Sequence, residues 1–147
     1  MSLSQLLPAM NISASGLSAE RFRMEVVANN LANAFSTRTP QGGPYRRQDV
    51  VFASVLDERL TPGRNRPELR LGGVQVQGVV QDPSPLIPVF RPGHPDADAD
   101  GFVLFPNVQL PLEMVDLITA NRAFEANLRV LQAFRDQIEQ ALALLRS

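Results

Sequence analysis

The segment EMVDLITANRAFEANLRVLQAFRDQIEQAL (113–142) decides the fold of this chain. It contains neither Pro nor Gly, and it follows Pro111, a residue type suited to the first turn of a helix. Glu113 and Asp116 lie where the helix dipole favours negative charge. Apolar side chains recur every seven residues, and a second apolar row lies beside the first. The first row is Leu117, Phe124, Leu131, Ile138 and Leu145; the second is Met114, Leu128, Phe134, Ala141 and Leu142. This pattern predicts a helix over 112–145 that carries a coiled-coil seam of about four heptads.

The N-terminal segment shows the same period. Its seam residues are Leu3, Met10, Leu17, Met24 and Leu31. Pro8 predicts a secure helix start at or just after itself, because proline breaks a helix interior. Gly16 leaves a shallow place where another backbone could approach. The Asn-rich stretch 29–33, followed by Pro40, predicts the end of this helix.

The region between the two helices has a different composition. Of the 21 Pro and Gly residues in the chain, 19 lie between Pro40 and Pro111. The runs 49–55, 73–80, 87–90 and 102–105 are short and rich in Val, Ile, Leu and Phe, which is typical of strands. The prolines predict a few short strands held by loops rather than a large sheet. The polar span 61–70 predicts a mobile tip.

Together these patterns predict an elongated α+β fold, with the terminal helices paired as an antiparallel coiled coil and a small irregular β-rich lobe between them. We expect residues 1–36 and 112–147 to form one discontinuous helical domain, and residues 37–111 to form the lobe. Several apolar residues lie outside the seams, and a lone helical pair would expose some of them, which indicates partners. These residues are Ile12, Phe22, Val26, Ile118, Val130 and Leu144. Asn121 and Asn127 either fix the helical register or face solvent, and the sequence favours neither alternative.

Composition excludes several classes of function. The 147 residues include 14 basic and 15 acidic side chains, so no basic excess exists to bind nucleic acid or an anionic membrane. There is no Cys and only one His, which excludes thiolate chemistry and a multi-histidine metal centre. The first basic residue is Arg21, and polar residues interrupt the segment before it, so we expect neither a cleaved signal peptide nor a membrane span. The paired arginines 21/23 and 46/47 are interpreted as a solvated surface or as partner salt bridges.

The loop PGHPDADADG (92–101) is the one place where the residues suggest chemistry. His94 has no nucleophile or acid in a recognisable arrangement, so it is interpreted as a structural or exposed residue. Asp96, Asp98 and Asp100 match the start of a calcium loop, but the twelfth position is Asn107 where a glutamate is required. The segment is therefore interpreted as a polar turn that leads into a strand, with weak calcium binding as the alternative. We predict no enzyme activity, no cofactor and no metal site.

Three blocks of sequence resemble the bacterial flagellar basal-body rod proteins, and in particular those of the proximal rod. The blocks are SASGLSAERFRMEVVANNLANAFSTRTPQGGPYRRQDVVF (13–52), VFRPGHPDADADGFVLFPNV (89–108) and the helical segment 113–142. The positions that match the family motif are Asn29, Asn30, Asn33, Gly93, His94, Pro95, Asp96, Gly101, Asn107, Glu113, Met114 and Asn127. Phe124 stands where the family commonly has Tyr, and the resemblance is weakest over 56–72.

The resemblance implies a structural subunit that leaves the cell through the flagellar type III export apparatus without a cleaved signal. It would assemble in the periplasm into the rod that transmits torque to hook and filament. The implied partners are copies of itself, other rod proteins and the hook–basal-body complex protein. A cytoplasmic coiled-coil adaptor or export chaperone is the alternative, and a calcium-binding module ranks after it.

Overall fold

The computed structural model describes residues 3–59 and 68–146, with side chains described over 8–56 and 72–144. The elements are helix α1 (Leu3–Ala32), strands β1 (Gln48–Arg59), β2 (Glu68–Gln81), β3 (Ile87–Phe90) and β4 (Phe102–Phe105), and helix α2 (Leu110–Arg146). The predicted α+β class with long terminal helices and small sheets is confirmed.

Helix α1 begins earlier than the sequence predicts. It starts at Leu3 and contains Pro8, so the expected start at the proline is wrong. Pro8 is the sixth residue of α1, beyond the four whose N–H groups have no partner within a helix, so it removes one backbone hydrogen bond without ending the helix. The predicted end is confirmed: α1 stops at Ala32, and the Asn33 N–H donates to the carbonyls of Asn29 and Asn30 at 3.1 and 3.2 Å.

Helix α2 has the predicted extent, with Pro111 as its second residue and Glu113 in its first turn. The described residues of the predicted apolar seams are half-buried on both helices, whereas the side chains of Leu3 and Leu145 lie outside the described residues. These half-buried residues are Met10, Leu17, Met24, Leu31, Leu117, Phe124, Leu131 and Ile138. The predicted second row on α2 is wrong at four of its five positions, because Met114, Leu128, Ala141 and Leu142 are exposed and only Phe134 is half-buried. The buried residues Glu113 and Ala120 stand beside the seam instead. A search for apolar residues at heptad spacing misses this buried row, because one of its members is the charged residue Glu113.

The strands form two separate two-stranded sheets. In the second sheet β3 pairs antiparallel with β4, from Ile87 opposite Phe105 to Phe90 opposite Phe102. The first sheet pairs β1 with β2, which have 12 and 14 residues, so the prediction of only short strands is wrong there. Neither of these strands contains a proline, which removes the physical reason for interruption. Of the predicted mobile tip, 68–70 belong to β2 and the rest lies outside the described residues.

A glycine in β2 seats this strand against α1. Gly73 has a φ of 115°, a conformation that residues with a Cβ rarely adopt, and a Cβ there would lie 3.2 Å from the Ser15 Cβ. The Ser15 hydroxyl donates to the Ile12 carbonyl at 2.7 Å and accepts from the Val74 N–H at 3.1 Å. The backbone of β2 is therefore bonded directly to the helix.

The chain divides into two compact units. One contains residues 1–22, 52–77 and 120–147; the other contains 23–51 and 78–119. The second unit has a small apolar core of Ala34, Tyr45 and Val108, with Leu110 packed against it. Asn30, Arg47, Asn107 and Glu113 all lie in this second unit.

Candidate assembly site

The side chain of Asn30 is the centre of a buried polar cluster at the end of α1. It is 0% exposed. Its Oδ1 accepts hydrogen bonds from the Tyr45 hydroxyl at 2.8 Å and the Gln48 N–H at 2.9 Å. Its Nδ2 donates to the Gln48 carbonyl at 2.8 Å and to Glu113 Oε2 at 3.0 Å. An amide has two donor hydrogens and two acceptor lone pairs, so this side chain uses its full capacity. One amide thus joins the end of α1, the start of β1 and the first turn of α2.

Glu113 is also 0% exposed, and its partner is Arg47. The Arg47 Nε donates to Glu113 Oε1, and the same guanidinium contacts Asp49, Asp82 at 3.7 Å and Asp116 at 3.5 Å. Burial lowers the pKa of Arg47, but the hydrogen bond and charge of Glu113, with help from Asp49, raise it overall. The arginine therefore stays charged, which a buried carboxylate requires for its own stability.

Tyr45 and Asn107 complete this cluster. Burial, followed by the charge of Glu113, raises the pKa of Tyr45 above its ordinary value. Asn107 Oδ1 accepts from the Arg47 N–H at 2.8 Å, and its Nδ2 donates to the carbonyls of Asp82 and Ser84 at 3.2 and 3.3 Å. We name Asn30, Tyr45, Arg47, Asn107 and Glu113 the Asn30–Arg47 network.

Asp82 directly follows Gln81, the last residue of β2. Its pKa is lowered by hydrogen bonds from Ser84 and by the charges of Arg47 and Arg46. The Asp82 N–H donates to the Arg47 carbonyl at 2.8 Å, directly beyond the ends of β2 and β1. Arg47 thus links the network to the end of the first sheet: its side chain bonds to Glu113, and its carbonyl accepts from the residue that follows β2.

The network gathers three of the predicted motif residues, Asn30, Asn107 and Glu113, from distant parts of the sequence. Asn29 donates to the Tyr45 hydroxyl at 3.2 Å, whereas Asn33 bonds only nearby groups, to Asn29 and Ser36. Sequence reasoning missed Tyr45, and it interpreted Arg47 as a solvated residue or a partner salt bridge, whereas Arg47 pairs with carboxylates of its own chain. Arg47 and Glu113 are 66 residues apart, so no local pattern connects them.

The loop 91–101 forms the predicted polar turn. Asp98 Oδ1 accepts from the N–H groups of Asp100 at 3.0 Å and Phe102 at 2.8 Å, and Gly101 has a φ of 81°. A Cβ on Gly101 would lie 2.9 Å from the Phe90 ring. Asp98 thus closes the turn that leads into β4.

The other motif residues of this loop serve the same turn. His94 Nδ1 accepts from the Asp96 N–H at 3.1 Å, and Asp96 accepts from the Thr37 hydroxyl at 2.9 Å. Gly93 and Pro95, the neighbours of the half-buried His94, are both exposed. Within the described ranges, no three acidic or histidine side chains converge as metal ligands.

The two candidate register asparagines on α2 belong to the other unit and differ from each other. Asn121 is exposed and donates to Glu125 Oε1 at 3.0 Å, four residues along the same helix. Asn127 is half-buried and lies against Gly16 of α1, where a Cβ would be 3.0 Å from its Nδ2. The shallow place at Gly16 is therefore filled by a side chain, and only Asn127 faces the other helix.

A stripe of large apolar side chains on the first turns of α2 faces solvent. Leu112, Met114, Val115 and Ile118 are between 52% and 59% exposed, and we name them the α2 stripe. Other exposed apolar residues are Ile12, Leu128, Val130, Leu142 and Leu144 on the helices and Phe90, Phe102 and Leu104 on the second sheet. Of the residues expected to be exposed, Val26 is buried and Phe22 half-buried. None of the described helices combines enough length and apolar character to cross a bilayer.

Comparison with known proteins assigns these features to one family. The family model "Flagella basal body rod protein" matches residues 10–39, and "Flagellar basal body rod FlgEFG protein C-terminal" matches residues 99–144. The chain is 41% identical to the flagellar basal-body rod protein FlgC of Borreliella burgdorferi, over 96% of this chain and 98% of that protein. The chain belongs to the FlgC family. Other FlgC proteins, from Salmonella typhimurium (40% identity, 95% and 97% coverage) and Bacillus subtilis (37%, 92% and 95%), agree.

FlgC-family membership makes this chain a structural rod subunit of the flagellar basal body, as the sequence predicted. The two matched segments meet in the Asn30–Arg47 network: Asn30 lies in the first, and Asn107 and Glu113 lie in the second. Tyr45 and Arg47 come from the segment between them: Tyr45 bonds to Asn30 in the first, and Arg47 bonds to Asn107 and Glu113 in the second. The network therefore bonds the two matched segments of this chain to each other.

Proposed function

We propose that this FlgC-family chain is a subunit of the proximal rod, which packs through exposed apolar faces of its terminal helices against other rod subunits. In this role it forms part of the periplasmic shaft that transmits torque to hook and filament. The observation that carries the proposal is the α2 stripe, because monomeric proteins rarely leave so many large apolar side chains together in water.

Burying the exposed part of the α2 stripe against a partner would contribute free energy to assembly. Complete burial of one large aliphatic side chain contributes about 1.5–3 kcal/mol. The four residues of the stripe are slightly more than half exposed, so covering their remaining surface contributes roughly 3–6 kcal/mol per subunit. This contribution offsets part of the free energy that a subunit loses in translation and rotation on association, provided that the partner offers an apolar surface of matching shape.

The half-buried seam residues support the same role. We infer that the seams of α1 and α2 pair as an antiparallel coiled coil within the chain and keep a remaining surface for neighbouring subunits. The terminal helices then form one discontinuous helical domain (1–36 and 112–147), and residues 37–111 form a lobe. The partners are further copies, other rod proteins and the hook–basal-body complex protein, reached by type III export without a cleaved signal.

A charged substitution in the stripe tests the proposal. Ile118→Asp places a carboxylate on an exposed residue, so the free subunit keeps its helix content, whereas packing would bury an unpaired charge. Thr119→Asp is the matched control, because Thr119 is the exposed neighbour on the same turn. Both variants are expressed in a strain that lacks the native gene, and swimming and recovery in purified basal bodies are measured.

We expect Ile118→Asp to abolish swimming and to be absent from basal bodies, while Thr119→Asp restores both. Full restoration by Ile118→Asp would contradict a packing role for the stripe. Retention of the native chain in the cytoplasm with one defined partner would favour the adaptor or chaperone alternative. Circular dichroism of both purified variants excludes misfolding as the cause.

A further inference from the structure

We propose that Asn30 and Glu113 select the register between the end of α1 and the start of α2, and that their bond exists for this selection more than for stability. The two residues form a hydrogen bond between the last turn of α1 and the first turn of α2, and both side chains are 0% exposed. The proposal concerns the folded subunit itself and rests on the proposed function only in its motility measurement.

The cost of burying these groups is the first argument. A carboxylate and an amide that are both 0% exposed have lost all their contact with water. Replacing a buried ion pair by apolar residues of similar volume is often neutral or stabilising. Stability alone therefore gives no reason to place Glu113, Asn30 and Arg47 here.

The repeat of the helices is the second argument. Apolar residues seven apart give similar contacts when one helix slides by a whole heptad, so the seams alone do not define a single alignment. The Asn30 Nδ2 reaches Glu113 Oε2 at 3.0 Å in one alignment only. A second polar contact in the same unit, Arg23 to Asp116 at 3.5 Å, agrees with that alignment. A slipped register would leave the buried carboxylate and the buried amide without each other.

The experiment separates hydrogen bonding from charge. The variants Arg47→Met/Glu113→Gln and Arg47→Met/Glu113→Leu both lack the ion pair, but only glutamine can still accept the Asn30 N–H. The matched control is Arg135→Met/Glu139→Leu, which makes the same exchange at an exposed pair of α2. The chain has no cysteine, so Ala28→Cys and Thr119→Cys, both exposed, carry nitroxide labels in every variant. Pulsed electron resonance then measures the distance between the labels, and a thermal scan gives Tm.

We expect one label distance in the native chain, the glutamine variant and the exposed-pair control. The leucine variant should show a second distance, since a slip of one heptad moves one helix by about 10 Å along the other. Its Tm should stay within about 5 °C of that of the glutamine variant. Swimming should be lost in the leucine variant and kept in the control.

Several outcomes would overturn the proposal. One is a single unchanged distance in the leucine variant, and another is the same second distance in both double variants. Failure of the leucine variant to fold while the glutamine variant folds would assign the bond to stability. Two distances in the native chain would show that nothing selects one register. Loss of swimming in the exposed-pair control, with an unchanged label distance, would instead count against the proposed function.

Discussion

Replacing Asn30 by alanine should be among the most damaging single changes in this chain. The substitution removes four hydrogen bonds from a side chain that is 0% exposed. Each neutral bond contributes about 1 kcal/mol and the bond to a charged group about 1.5–3 kcal/mol, although such values are not additive. The partners left behind are partly able to rearrange, so the free energy of unfolding should fall by about 3–5 kcal/mol.

Asn33→Ala is the matched control for this prediction. It is the same change three residues further on, where the amide is half-buried and bonds only Asn29 and Ser36. Urea unfolding followed by circular dichroism at 222 nm gives the midpoint and slope of both variants, and the control should lose about 0.5–1 kcal/mol. Equal losses for Asn30→Ala and Asn33→Ala would refute the argument that a saturated buried amide holds the three segments together.

Three further predictions concern single positions. Gly73→Ala should lower the free energy of unfolding by about 2–4 kcal/mol in urea melts, because its φ of 115° and the contact with Ser15 both oppose a Cβ, and Ser15→Gly should restore part of the loss. Gly101→Ala should lower it by a similar amount of about 2–4 kcal/mol through the clash with the Phe90 ring, and a melt equal to that of the native chain would contradict the described turn. Tyr45 has a raised pKa, so its protonated form is favoured by folding; stability should be complete below pH 10.0 and should fall as the pH rises through the folded-state pKa. Tyr45→Phe should cost about 1 kcal/mol at neutral pH and should not show the additional loss as the pH rises above 10.0.

The helices could be predicted from the sequence because their determinants are local. The seven-residue repeat through Leu117 and Leu131 and the proline at position 111 together located α2 within two residues of its observed start. The end of α1 was predicted equally well from the asparagines and Pro40. Its start was not, because the helix continues through Pro8 at the loss of one backbone hydrogen bond.

The site was predicted only in part, since its contacts are not local. The family resemblance marked Asn30, Asn107 and Glu113 but gave no reason for them. The interpretation of Arg47 as a solvated residue or a partner salt bridge is wrong, because a balanced set of charges carries no information about which acid meets which base. The polar character of Glu113 also concealed the true second row of α2, since a search for apolar periodicity ignores a buried carboxylate.

The Asn30–Arg47 network also has a consequence for the order of folding. Its central bond joins residues 83 apart, and the bond from Arg47 to Glu113 spans 66 residues. Contacts so distant in sequence form only after most of the chain has collapsed, whereas helical turns form first. Changes in the network should therefore act mainly on the rate at which the subunit unfolds, and hardly on the rate at which it folds. In this subunit the same few side chains would then determine how long a correctly folded copy persists.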